Sequence, residues 1–262
     1  MVELLILAAA AAAASARWNW WRPRRCGLPV LMYHHIGSPP PGAKLRKLWV
    51  RTRDFRSQML ALLRRGYTPL LFSELEKPLP AKPVLVTFDD GYADNLEEAF
   101  PVLRETRVKA NIFLVHDAMG RHNHWEDPGL LPFQRMLDWG QALAMQDSGL
   151  VEFGSHGMGH KDLTRVSREE ALWEAAESKR RIEARLGRPV TAFSYPFGSG
   201  AFDAEVRSAV REAGYRYDFS IRQGISPWPW DPGSGPLNRL LVRGDDTGLD
   251  FRLNLTRGRA RL

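Results

Sequence analysis

The sequence predicts a parallel β/α fold, and two observations carry that expectation. From residue 28 onward, short β-like runs alternate with amphipathic helical patterns. The polar residues that break this pattern fall directly after the runs, where parallel β/α folds keep their functional loops. At 262 residues the chain is long enough to bury one large core, and no shift in composition forces a division.

The first 27 residues stand apart from the rest. Leu4 to Ala14 is an unbroken apolar run, too short to span a bilayer comfortably. Ala14-Ser15-Ala16 fits the small-x-small pattern of a signal-peptidase site, so export to the periplasm or cell surface is expected. Against export, Glu3 precedes the run without any Lys or Arg, and the positive charges follow it. The alternative is a plain Ala-rich helix, or a misplaced start codon, on a cytoplasmic protein. Trp18 to Trp21, with Arg22, Arg24 and Arg25, make a basic aromatic linker suited to a membrane surface or simply to spacing. The folded domain is placed at 28–250, and residues 251–262 read as a basic C-terminal tail.

Within the domain, the candidate strands are Val30–His34, Val84–Phe88, Ala110–Val115, Val151–Gly154, Ala192–Tyr195 and Tyr217–Ser220. Phe55, Met59, Leu62 and Leu63 share one face at helical spacing, and Gly66 stops that helix. Ser167-Arg168-Glu169-Glu170 reads as a capping box opening a helix that runs to about Leu186, where Gly187 and Pro189 end it. No internal repeat is visible.

Composition narrows the function classes. An apolar share of 44% with 26% charged residues is that of an ordinary globular protein. The net charge of +7 raises the question of nucleic acid, but no recognition motif accompanies it. The arginines are scattered except near the two ends, at Arg22, Arg24 and Arg25 and at Arg252, Arg257, Arg259 and Arg261, which read as solvated tails. The single cysteine, Cys26, excludes an intrachain disulfide and any multi-cysteine metal site.

The chemistry lies in two stretches. In Gly-Ser-His-Gly-Met-Gly-His, residues 154–160, His156 and His160 are four apart, so one helical turn would face both imidazoles the same way. The bland alternative is two surface histidines in a glycine-rich loop. A catalytic metal site needs a third protein ligand and an open position, and Asp90 can be that ligand. A His-His-Asp set suits Zn²⁺ best and would accept Co²⁺, Ni²⁺ or Mn²⁺. Thr-Phe-Asp-Asp-Gly, residues 87–91, then gives two adjacent carboxylates distinct jobs. One binds metal, while the other stays free to take a proton from metal-bound water, with Gly91 permitting the bend between them.

The ordered set Thr-Phe-Asp-Asp-Gly, then Ser-His-x-x-x-His, then Tyr-Pro-Phe-Gly resembles the polysaccharide deacetylases, the NodB-homology group or carbohydrate esterase family 4. The resemblance runs from about Leu28 to Arg243. Leu-Met-Tyr-His-His-Ile-Gly at 31–37 narrows it to the branch similar to poly-N-acetylglucosamine deacetylases. It implies a distorted (β/α) barrel with fewer than eight regular units, Asp89 as general base, Asp90, His156 and His160 as metal ligands, and a polysaccharide substrate. No histidine follows His160, so the late general acid of many members is missing; in this branch His34 matches an acid supplied early. His35, the next residue along the strand, would point away. Tyr195 and Phe197 fall on the oxyanion and substrate side, where the Phe197 backbone N–H would help hold the oxyanion. Where members often carry an arginine before the Pro-Pro-Tyr-Gly-like segment, this chain has Ser194. Arg239 resembles a C-terminal arginine of the branch and would supply that charge, or else is a salt-bridged surface residue.

Two further groups attract attention. His122 and His124 suggest a second metal site but match a substrate-side segment, and Trp228 and Trp230 either stack on sugar rings or pack. The implied activity is removal of acetyl groups from N-acetylglucosamine units. The alternatives are an O-acetyl esterase acting on a xylan-type glycan and a non-catalytic glycan-binding barrel.

Overall fold

The computed structural model describes residues 1–18 and 20–261, so Asn19 of the aromatic linker and Leu262 of the expected tail lie outside the described residues. Its strands are β1 (Val30–Tyr33), β2 (His35–Ile36), β3 (Trp49–Val50), β4 (Thr68–Leu70), β5 (Pro83–Phe88), β6 (Ala110–Leu114), β7 (Val151–Ser155), β8 (Ala192–Ser194), β9 (Tyr217–Gln223) and β10 (Leu237–Leu241). The helices are α1 (Val2–Arg17), α2 (Thr52–Arg64), α3 (Phe100–Thr106), α4 (Trp139–Asp147), α5 (Arg168–Leu186), α6 (Ala204–Glu212) and α7 (Gly248–Arg257).

Strands pair in the order β1-β10-β9-β8-β7-β6-β5, and β5 returns to β1, which closes a parallel ring of seven. This is the (β/α) barrel with fewer than eight regular units. Apart from β9, whose last three residues are not buried, the ring strands are buried along most of their length, and β1, β5 and β6 read as near-continuous apolar runs for that reason. β4 stands outside the ring, paired with the first half of β5 while β6 takes the second half. Asn111 stitches this fork: its amide donates to Leu70 O at 2.9 Å and its carbonyl accepts from Phe72 N–H at 2.9 Å.

Two apolar layers form. Leu31, Tyr33, Val86, Phe88 and Ile112 face outward onto helices, in the cluster that contains Phe55 and Met59 of α2 and Ile182 of α5. Val30, Leu85, Phe113, Ala192, Phe219 and Leu237 fill the barrel. Gly154 is needed in this interior, because a Cβ there would lie 2.6 Å from the Phe113 ring. Trp228 and Trp230 pack against this inner cluster, with Trp230 near Tyr217 at the start of β9, so they sit away from the strands' carboxyl ends.

Several local expectations are corrected. On α2 the buried face is Phe55, Gln58, Met59 and Leu62, and Leu63 is exposed. Gln58 is drawn in because its Oε1 accepts the Tyr33 hydroxyl at 2.8 Å. Ser167 caps α5 by accepting from Glu170 N–H, but the Glu170 carboxylate pairs with Lys161 at 2.6 Å rather than reaching back. The expected basic tail is largely α7, which buries Phe251, Leu253 and Leu255. β4 and β10 were not anticipated.

Candidate active site

Strand alternation builds the site. Every second residue of a ring strand points inward, and the inward series carry polar groups at or near the carboxyl ends. From β1 the series is Val30, Met32, His34; from β5, Leu85, Thr87, Asp89; and from β10, Leu237, Arg239, Leu241. They meet in a pocket of about 240 Å³ at the carboxyl ends of the strands, together with His156, His160, Tyr195 and Phe197.

Asp89 continues the ladder, its N–H donating to Tyr33 O at 3.0 Å. Asp90 leaves it with φ +74°, followed by Gly91 at +83°. Two successive left-handed residues break the alternation, so both carboxylates reach one pocket. A Cβ on Gly91 would also lie 2.8 Å from Leu114. His160 and Phe197 share this conformation, at φ +56° and +57°. Each such non-glycine residue costs roughly 1–2 kcal/mol, and strain of this kind persists where the surroundings over-determine it.

Asp90 Oδ1 lies 3.3 Å from His156 Nε2 and 3.2 Å from His160 Nε2. The three residues are buried, and their donor atoms all lie within 4.8 Å of one another. Donors about 2.05 Å from a tetrahedral ion are about 3.3 Å apart, so the spacing fits. The chemistry fits too. His156 Nδ1 sits 2.7 Å from Ser194 O, where only an N–H is acceptable, so in the neutral ring Nε2 is a bare lone pair facing a carboxylate. A cation or proton between them resolves that repulsion. Burial opposes the Asp90 charge, but its contacts with His156 and His160 hold the carboxyl well below the usual range. His160 is placed differently: its ring is stacked on Trp125 at 4.3 Å and meets Phe197 edge-on at 4.5 Å.

Asp89 is gripped by Arg239. Nη1 and Nη2 donate to the two carboxylate oxygens at 2.6 and 2.7 Å, and the guanidinium is fully buried. Its Nε donates to Ser220 O at 2.9 Å, and Nη2 also donates to Ser194 Oγ at 2.9 Å. Arg239 is therefore an interior residue, not a surface ion pair. Ser194 completes the exchange, its hydroxyl accepting from Arg239 while its carbonyl meets His156. Burial works against the Asp89 charge, yet Arg239 and His156 outweigh it and lower its pKa.

His34 lines the pocket, with its Nδ1 buried. Burial lowers its pKa, and Asp89 and Asp90 pull the other way. His35 turns outward, sandwiched between Trp49 at 3.9 Å and Tyr92 at 3.8 Å with Nδ1 2.6 Å from Asp94. Tyr195 lines the pocket, but its hydroxyl is engaged by Asp218 at 2.9 Å. Phe197 stands half-exposed beside His160. His122 and His124 are exposed and belong to no metal-like group among the described residues. Sequence reading passed over Tyr92, Trp125 and Glu126. Tyr92 and Glu126 line the pocket and Trp125 stacks on His160. Trp125 stands directly after His124, which drew attention to the wrong side chains.

Fold and site together define a closed parallel barrel with an aspartate and histidine donor set at the carboxyl ends of its strands. The family model for polysaccharide deacetylase matches residues 76–217, more than half of the chain. Bacillus subtilis YxkH, which carries the family's name, is 31% identical over 231 residues, covering 86% of this chain and 74% of its own. The protein belongs to the polysaccharide deacetylase family. It is 29% identical over 139 residues to the poly-beta-1,6-N-acetyl-D-glucosamine N-deacetylase of Escherichia coli, spanning 50% of this chain but only 20% of that one. The Staphylococcus epidermidis protein of the same name is 24% identical, covering 82% and 79%. Among solved structures, a polysaccharide deacetylase from Bacillus cereus superposes with a TM-score of 0.73 at 27% identity, covering 88% of this chain and 69% of that one. IcaB from Ammonifex degensii shares the fold at 0.71, with 24% identity and coverage of 89% and 97%.

Proposed function

We propose that the protein is a divalent-metal-dependent N-deacetylase acting on N-acetylglucosamine units of a polysaccharide. The observation that carries this reading is the buried Asp90, His156 and His160 donor set beside an arginine-gripped Asp89, with His34 on the same pocket. Asp90, His156 and His160 would hold the ion, Zn²⁺ by preference and Co²⁺, Ni²⁺ or Mn²⁺ as substitutes. Such an ion, when bound, lowers the pKa of water and polarises a carbonyl.

The remaining work falls to this chain's own groups. Asp89 accepts the proton of the attacking water. Its bidentate contact with Arg239 fixes the carboxylate plane and still leaves lone pairs for that proton. The same contact limits its basicity, so positioning is the larger part of what it contributes. His34, once protonated, gives a proton to the departing nitrogen, because amines leave poorly as anions. The Phe197 N–H, held at the pocket by a left-handed backbone, is the proposed oxyanion donor. The sequence similarity to enzymes named for poly-N-acetylglucosamine supports the substrate class.

Mass spectrometry of N-acetylglucosamine oligomers, incubated with protein and Zn²⁺, tests the reading. Stepwise loss of acetyl mass is expected. Untouched oligomers alongside deacetylation of acetylated xylan would establish an O-acetyl esterase instead.

A further inference from the structure

The basic residues near the two chain ends do not form separate solvated tails. Arg25 N–H donates to Thr256 O at 2.9 Å, which seats the N-terminal linker along α7. Two neighbouring clefts that share Arg25 result. One, of about 520 Å³ near the start of β1 and β5, is lined by Arg24, Arg25, Arg65, Lys82 and Arg252. The other, of about 320 Å³, is lined by Arg22, Arg25, Arg257 and Arg259. Among the described residues no acidic side chain lines either cleft. Among the described residues none of these eight cations forms an ion pair, in contrast to Arg261, which is held by Asp245, Asp246 and Asp250. These two adjoining clefts, lined by unpaired cations, make this side of the protein a basic face.

The linker entering this side comes from α1. Leu4, Leu5, Ile6 and Leu7 are 76, 65, 62 and 67% exposed, and Trp20 and Trp21 are exposed as well. Four successive exposed aliphatic residues cover a full helical turn, so the helix is apolar on every side there, which does not suit water. Its 16 residues reach about 24 Å, short of a hydrocarbon core of about 30 Å. Among the described residues no helix is long and apolar enough to cross a membrane. A short apolar helix, then tryptophans, then arginines is the order that enters a bilayer partway, with aromatic rings at headgroup level and guanidinium groups on phosphates.

We propose that this side docks on an anionic phospholipid surface, with α1 inserted, Trp20 and Trp21 at the interface and the two basic clefts on lipid phosphates. The larger cleft lies at the amino-terminal end of the barrel, so the pocket at the carboxyl ends opens away from the lipid, towards a polymer in solution. Nucleic acid would satisfy the clefts but not α1 or the tryptophans.

Vesicle flotation of the full chain tests this, comparing phosphatidylcholine alone with phosphatidylcholine mixed with phosphatidylglycerol. Partition should strongly favour the anionic vesicles and weaken with salt. Each arginine near such a surface contributes about fivefold to partition. Replacing three exposed cations together, Arg24→Glu, Arg25→Glu and Arg252→Glu, should therefore lower anionic partition by at least about a hundredfold and leave deacetylation of soluble oligomers unchanged. Leu4→Asp with Leu7→Asp should weaken binding to both vesicle types. Equal partition onto the two vesicle types, or wild-type binding by the triple variant, would overturn the proposal. So would retention of single-stranded DNA without any vesicle binding, which would assign the side to nucleic acid.

Discussion

Asp89 and Asp90 are neighbours with different duties, and single substitutions separate them. Asp90→Ala should lose metal, because two histidines cannot fill a tetrahedral site, whereas Asp89→Asn should keep metal and lose turnover. Elemental analysis beside oligomer deacetylation reads both. A near wild-type rate in Asp89→Asn would remove Asp89 as the base. His34→Ala should slow an N-acetyl substrate by about 10²–10⁴-fold and slow an activated acetyl ester clearly less, since that leaving group needs no proton. His35→Ala should show no such difference between substrates, because its ring is packed outside the barrel. Equal losses on amide and ester for His34→Ala would make it a positioning residue. These positions were legible in the sequence because each sits in a short local motif. Arg239 was only half legible: nothing in Asn-Arg-Leu-Leu-Val tells an inward arginine from a surface one, and its partner Asp89 is 150 residues away.

At the scale of elements, β10 matters most, because it carries Arg239 into the barrel. Arg239→Ala would leave the buried Asp89 charge unpaired, and breaking a buried pair in this way costs about 3–5 kcal/mol. Urea unfolding should show a loss of that order, with Asp89→Asn/Arg239→Ala recovering part of it. A loss under about 1 kcal/mol in Arg239→Ala would mean that water reaches Asp89 in the folded protein. The strands with long apolar runs were legible, with ends off by a residue or so. β4 was not, because Thr-Pro-Leu is only three residues and holds a proline, tolerated there on a strand outside the ring. β10 was hidden by the polar Asn238 and Arg239, whose compensation is entirely tertiary. The capping box was half right because Lys161, six residues before the cap, competes for Glu170.

For the molecule as a whole, ring closure through β1 and β5 sets which ends of the chain meet, and no local pattern announces that closure. One consequence is the cluster where Arg261 joins Asp246 after β10. Burial pushes the Asp246 carboxyl up to about 6, with Arg243 N–H and Arg261 pulling it down and Asp250 and Asp245 adding to the rise. A carboxyl with a raised folded-state pKa binds its proton more tightly when folded. Its contribution to stability is thus full below the ordinary carboxyl pKa of about 4 and is lost as pH rises through about 6. Thermal melts should show Asp246→Asn ahead of wild type above pH 7, with the gap narrowing as pH falls to 5; a gap constant across that range would remove Asp246 as its source. Acetyl release from N-acetylglucosamine oligomers by metal-stripped protein, titrated with Zn²⁺, shows whether the hydrolase pocket needs a divalent ion. The expected result is no release before addition and recovery that saturates at one ion per chain. Full release by the metal-free protein would contradict it.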